Sequence, residues 1–107
     1  MATFVPDAYA ERSVQGRVVV VTGASRGMGH FLASQLCGKG ARVVAVARSV
    51  SPSWVGALES AASAGGGRVD ACTCDVSNVE DVRALFGETL PGLGIDTIDV
   101  LVTNSVQ

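Results

Sequence analysis

Apolar residues in this chain gather in short unbroken runs, with polar residues collected between them. VVVVT near the amino end, RVVAVA at Arg42–Ala47 and IDVLVT near the carboxyl end are rich in β-branched residues. They are too short for stable helices. A strand buried on both faces has this pattern, whereas a half-exposed strand would alternate. Strands are therefore predicted at 17–22, 42–47, 68–73 and 98–103. Helical spacing fills the gaps. A first helix is predicted over about 28–39, with Phe31, Leu32 and Leu36 available to one face and Gly40 as its stop. A second, over about 53–64, opens on Ser51 and Pro52 as N-cap and first helical position and closes on Gly65, Gly66 and Gly67. A third begins at Ser77-Asn78-Val79-Glu80, which has the form of a capping box. Its apolar face is predicted from Val79, Val82 and Phe86, with Leu85 alongside. Residues 91–96 read as a turn-rich connection.

The resulting order is β-α-β-α-β-α-β. Doubly apolar strands alternating with helices of about a dozen residues predict an α/β fold, a Rossmann-type parallel sheet covered on both sides. As four strands make only part of a doubly wound sheet, the fold is expected to be incomplete. Residues 1–16 read as an N-terminal arm and 17–107 as the nucleotide-binding first half. A ligand is expected outside the carboxyl ends of the strands, at the switch point.

The first strand delivers the chain to that point at Thr22. Gly23, Gly27 and Gly29 follow, and a helix begins. A helix N-terminus presents free N–H groups and the positive end of its dipole, which suits a pyrophosphate. A Cβ in the turn would hold the phosphate away. Gly23 is assigned the sharp turn, Gly27 the close approach of the phosphate and Gly29 the close packing of helix on sheet. The alternative is an ordinary glycine-rich loop. The position directly after the first strand favours the binding motif. No Gly-Lys-Ser/Thr follows, which excludes a P-loop. His30, in the first helical turn, reads as a packing or surface residue. Trp54 reads as a helix–sheet contact, with proximity to an adenine as the alternative.

Composition narrows the function classes. The 107 residues are 48% hydrophobic and 17% charged, enough for one core. Net charge is −2 with no basic patch, so nucleic acid is not an expected partner. No apolar run is long enough to span a bilayer, and Pro6, Asp7 and Glu11 interrupt any signal-like core. Cys72 and Cys74, two apart on a strand, share a face. With Cys37 they read as buried thiols, since no second ligand pair accompanies them. A cytoplasmic location is expected.

Thr22-Gly23-Ala24-Ser25-Arg26-Gly27-Met28-Gly29 resembles the T-G-x-x-x-G-x-G fingerprint of the short-chain dehydrogenase/reductases. Cys74-Asp75-Val76-Ser77 is similar to that family's D-V segment after the third strand. Asp99-Val100-Leu101-Val102-Thr103-Asn104 is similar to its D-V-L-V-N-N. The resemblance runs from about Gly16 to Gln107. It implies a dinucleotide site holding Thr22, Gly23, Ser25, Arg26, Gly27, Met28 and Gly29, with Asp75 and Val76 at the adenine and Asn104 closing the pocket. NAD-binding members usually carry an acid after the second strand; this chain has Arg48 and Ser49. Arg48 and Arg26 suit a ribose 2′-phosphate, so NADP(H) is expected over NAD(H). The family's catalytic Ser and Tyr-x-x-x-Lys match no position here. Tyr9 and Lys39 are the only tyrosine and lysine, and N-N-A-G becomes Thr103-Asn104-Ser105-Val106. The complete form is expected to move hydride between NADP(H) and a carbonyl or alcohol, and this chain alone to be inactive. The alternative is a truncated, non-catalytic nucleotide-binding module or regulatory partner of a full-length relative. Self-association or pairing is expected through the fourth strand, whose apolar edge nothing in the sequence covers.

Overall fold

The computed structural model describes residues 14–104. The arm up to residue 13, with Tyr9, and the Ser105-Val106 departure lie outside the described residues. Four strands form one sheet: β1 (Val18–Thr22), β2 (Arg42–Ala47), β3 (Arg68–Thr73) and β4 (Val100–Val102). All pair in parallel, in the order β3-β2-β1-β4. The chain steps outward through β2 and β3, then returns to set β4 on the other flank of β1. That reversal beside β1 is the switch point of a doubly wound sheet. The Rossmann-type α/β architecture expected from the apolar runs is the one present.

The runs at β1 and β2 are continuous because both faces of the sheet are covered there; β4, expected to be covered likewise, leaves Val100 and Leu101 exposed. Successive valines point to opposite sides. Val19, Val21, Val43 and Ala45 join a cluster with Trp54 and Leu58. Val20, Val44 and Val46 join Cys72, Leu85, Leu90 and Ile95 on the reverse. Cys72 and Cys74 do share a face, and all three cysteines are buried and free. Burial raises the Cys37 thiol pKa to about 11.

Helix α1 (Gly27–Gly38) ends as predicted at Gly40. Gly40 has φ +90°, and the Ala41 amide reaches back to the Leu36 carbonyl at 3.1 Å. This is a left-handed helix stop. The apolar face of α1 differs from the expected one. Gly29, Ala33 and Cys37 are buried, while Phe31 is 60% exposed and Leu36 only partly covered. Close approach decides this. Alongside α1, helix α2 (Pro52–Gly65) comes so near that a Cβ on Gly65 would fall on the Gly38 carbonyl. Small residues fit such a seam and Phe31 does not.

The third helical region departs further. Helix α3 (Val79–Ala84) is capped by Asn78, not Ser77: Asn78 Oδ1 accepts the Glu80 and Asp81 amides at 2.9 and 3.1 Å. The cap is one residue later than the capping box predicts. Ser77 is taken by Asp75 instead. A π-helical turn (Leu85–Thr89) follows, then α4 (Leu90–Gly92), where a loose connection was expected. Leu85 and Leu90 are both 3% exposed. Five residues apart on an α-helix, they would face about 140° apart; the wider π turn lets both reach the sheet. Val79 and Phe86, expected to be buried, are 67% and 40% exposed. Strand β4 is also shorter than expected: Ile98 packs against the cluster of Leu85 and Leu90, and Asp99 meets the start of β1 with its amide on the Val18 carbonyl at 2.9 Å and its carboxylate accepting the Val18 amide at 2.8 Å.

The amino ends of the strands are closed by ion pairs. Arg42 donates to Asp70 at 3.1 Å and to the Leu93 carbonyl at 2.8 Å, Arg68 lies 3.5 Å from Asp70, and Arg17 lies 3.6 Å from Asp99. The carboxyl ends carry no such pairs among the described residues.

Candidate functional site

At the carboxyl ends of the strands lies a crevice of about 590 Å³. This is the size range of small-molecule sites. Each strand contributes the residues just after it: Gly23 after β1, Arg48 after β2, Asp75 after β3 and Asn104 after β4. Ten of the twelve sequence-predicted site residues line it. Gly23, Ser25, Arg26, Gly27 and Met28 come from the first turn, Arg48 and Ser49 from the second, and Asp75, Val76 and Asn104 from the others. Thr22 and Gly29 stand behind the lining and hold it.

Thr22 is buried, and its hydroxyl works in both directions. It accepts the Asn104 amide at 2.9 Å and lies 3.4 Å from the Val102 carbonyl, to which it donates. Gly23 and Gly27 have φ +66° and +65°, the left-handed region open to glycine at no steric cost. A Cβ on Gly29 would fall on the Gly23 carbonyl and 2.6 Å from Asn104 Nδ2. The close packing assigned to Gly29 is thus against the turn and Asn104, not against the sheet.

The turn leaves the start of α1 open. Arg26 occupies the N-cap position with extended backbone and makes no side-chain cap, and no acid lies in the first turn. Its first N–H groups therefore keep hydrogen-bonding capacity and an uncompensated dipole end beside the crevice. The Ala24 amide bonds the Val46 carbonyl at 3.1 Å, which anchors the turn to the end of β2. Neither Arg26 nor Arg48 forms an ion pair with another described residue.

Asp75 is the acidic wall. Its Oδ1 accepts from the Ser77 hydroxyl at 2.6 Å and the Ser77 amide at 3.0 Å. These bonds hold its carboxyl below the usual carboxylate pKa, and the Arg48 charge adds to the effect. The Asp75 amide donates to Asp81 Oδ2 at 2.9 Å, so α3 fixes this wall from behind. Val46, Ala47 and Cys74 also line the crevice and were not singled out from the sequence. Their signal was positional: each lies at the carboxyl end of a predicted strand, beside a residue already chosen.

A second depression, about 680 Å³, runs along α3 between Val76, Val79, Val82 and Phe86, with Arg83 at its rim. It is of similar size but has almost no polar groups converging on it. The crevice has open helix amides, two guanidinium groups, a carboxylate and a carboxamide. A dinucleotide, with its phosphates, ribose hydroxyls and bases, fits that donor set. Among the described residues no cluster of histidine, cysteine or acidic side chains could hold a metal, and no helix is long and apolar enough to cross a membrane.

Comparison with known proteins agrees with this geometry. The family model of the short chain dehydrogenase matches residues 17–106. The chain is 41% identical over 92 residues to dehydrogenase/reductase SDR family member 1 of Homo sapiens, covering 86% of this chain and 28% of the relative. The crystal structure of a metagenomic short-chain oxidoreductase in complex with NADP is 40% identical, with TM-score 0.74, over 89% of this chain and 41% of that one. A 3-oxoacyl-[acyl-carrier protein] reductase from Brucella melitensis in complex with NAD is 29% identical, with TM-score 0.71, over 87% of this chain and 34% of that one. The chain thus spans well under half the length of these relatives.

Proposed function

Because the chain belongs to the short chain dehydrogenase family, we propose that residues 17–107 are the dinucleotide-binding first half of an oxidoreductase whose whole form moves hydride between NADP(H) and a carbonyl or alcohol. One observation carries the reading. The uncapped, acid-free start of α1 opens on the same crevice as Arg48 at the end of β2. Backbone amides there suit a pyrophosphate, and guanidinium groups suit a ribose 2′-phosphate. Gly23, Ser25, Gly27 and Met28 form the cradle, with Thr22 and Gly29 behind it. Arg48, Ser49 and Arg26 take the phosphorylated ribose. Asp75 and Val76 flank the adenine, and Asn104 closes the nicotinamide side. The nicotinamide supplies the hydride chemistry when bound; these residues bind and orient it. The location we propose is the cytoplasm.

The test is equilibrium titration of the 107-residue chain with NADPH and NADH, followed by nucleotide fluorescence. Tighter binding of NADPH is expected. Equal affinities, or a preference for NADH, would remove the 2′-phosphate assignment. Failure of both to bind would remove the dinucleotide reading.

A second reading is favoured by one feature of the sheet. Strand β4 is an edge among the described residues, and its Val100 and Leu101 are 45% and 50% exposed. An apolar edge pairs readily with another strand. On that reading the chain is a non-catalytic nucleotide-binding module that self-associates or pairs with a longer relative. Sedimentation at several concentrations, with and without NADPH, distinguishes a pairing chain from a monomer.

A further inference from the structure

We infer that Trp54 is a positioning residue for coenzyme choice, acting through the main chain that carries Arg48 and Ser49. The inference rests on the reading of the crevice as an NADP(H) site. Trp54 lies in the first turn of α2, 9% exposed, packed in the cluster with Leu58. Its indole Nε1 donates to the Ser49 carbonyl at 3.3 Å. This is the one hydrogen bond tying the main chain of residues 48–50 to another described residue. Arg48, Ser49 and Val50 are otherwise exposed. The buried indole is therefore the anchor of an exposed segment, and that segment carries the group assigned to the 2′-phosphate.

His30 extends the link. Its Nε2 lies 3.2 Å from the Trp54 carbonyl. It stands one residue beyond Gly29, in the first turn of α1. The start of α1, which lines the crevice, and the first turn of α2 are thus joined through His30 and Trp54. A loop held in its binding geometry loses less freedom when a ligand arrives. That gain reaches only a ligand that uses Arg48. The cradle at Gly23–Gly29 has its own supports in Thr22 and Asn104. A nucleotide without the 2′-phosphate should therefore be little affected.

The experiment compares NADPH and NADH dissociation constants for the wild-type chain and Trp54→Phe, which keeps a buried ring and removes the indole donor. The ratio of affinities, NADPH over NADH, is expected to fall about fivefold, the worth of one ordinary hydrogen bond, with NADH binding within twofold of wild type. An unchanged ratio, or equal weakening of both nucleotides, overturns the inference and leaves the NADP(H) reading intact. If the wild-type chain binds neither nucleotide, both fall together. If circular dichroism shows that Trp54→Phe does not fold, His30→Ala decides. It leaves the core ring in place and removes the hydrogen bond between the first turns of α1 and α2. A lowered ratio then supports the link, and an unchanged ratio overturns it.

Discussion

The hydroxyl of Thr22 and the backbone amide of Asn104 meet at 2.9 Å, across 82 positions of sequence. One buried side chain thereby joins the carboxyl ends of β1 and β4 at the switch point. Thr22→Val keeps the shape and removes the acceptor, leaving the Asn104 amide without its partner. The loss expected is about 1–3 kcal/mol. Thr22→Ser should retain most of the stability. Urea unfolding of the two variants checks the difference; a larger loss in Thr22→Ser than in Thr22→Val would place the role of Thr22 in its methyl group.

Two glycines should respond to alanine with opposite signs. Gly29→Ala places a methyl group against the Gly23 carbonyl and Asn104. A loss of roughly 1–3 kcal/mol is expected, with weaker nucleotide binding. Gly56 lies inside α2 with open space around its Cβ position. Gly56→Ala should stabilise by about 0.5–1 kcal/mol. Thermal melts of the pair test both signs together.

Arg48→Asp should weaken NADPH far more than NADH, because the carboxylate repels a 2′-phosphate and accepts ribose hydroxyls. Isothermal titration with both nucleotides measures this. Equal losses would remove Arg48 from the site.

Two titrations have opposite directions. The Asp75 carboxyl is held below its usual pKa by Ser77 first and Arg48 less. Its contribution is present above the unfolded value of about 3.9 and is lost as pH falls through the lower folded value. Ser77→Ala should move the Asp75 titration upward, read by carbon NMR of the carboxyl. The Cys37 thiol is raised from 9.0 to about 11 by burial. Stability tied to it is complete below pH 9.0 and fades as pH rises toward 11. In the native chain at pH 8, Cys37 should resist a thiol reagent and react on unfolding.

What was legible in the sequence follows the physics of each element. Val18–Thr22 and Arg42–Ala47 could be read because a strand buried on both faces leaves no polar position to confuse it. Gly23, Gly27 and Gly29 could be placed because a strand end and a helix start bracket them. The face of α1 was hidden because its seam selects residue size: Ala33 and Cys37 are buried while Phe31 is exposed. The cap of α3 slipped by one residue because Ser77 had a stronger local partner in Asp75 than in the helix. The π turn had no signal, since it answers to the spacing of Leu85 and Leu90 against a sheet formed elsewhere in the chain. The bond from Trp54 to Ser49 joins residues only five apart, yet it depends on how α2 docks.

The charges that line the crevice shape the field an anion meets on approach. At the amino ends of the strands Arg42 and Arg68 share Asp70 and Arg17 pairs with Asp99, whereas Arg26 and Arg48 line the crevice with Asp75 and form no ion pair with a described residue. Within the crevice lining two guanidinium groups thus face one carboxylate, a local asymmetry that draws anions to that mouth of a chain whose net charge is −2. An approaching phosphate would feel that asymmetry within a screening length of about 8 Å at physiological salt. Orientation then begins before contact, and added salt should slow capture of the ligand more than it hastens its escape.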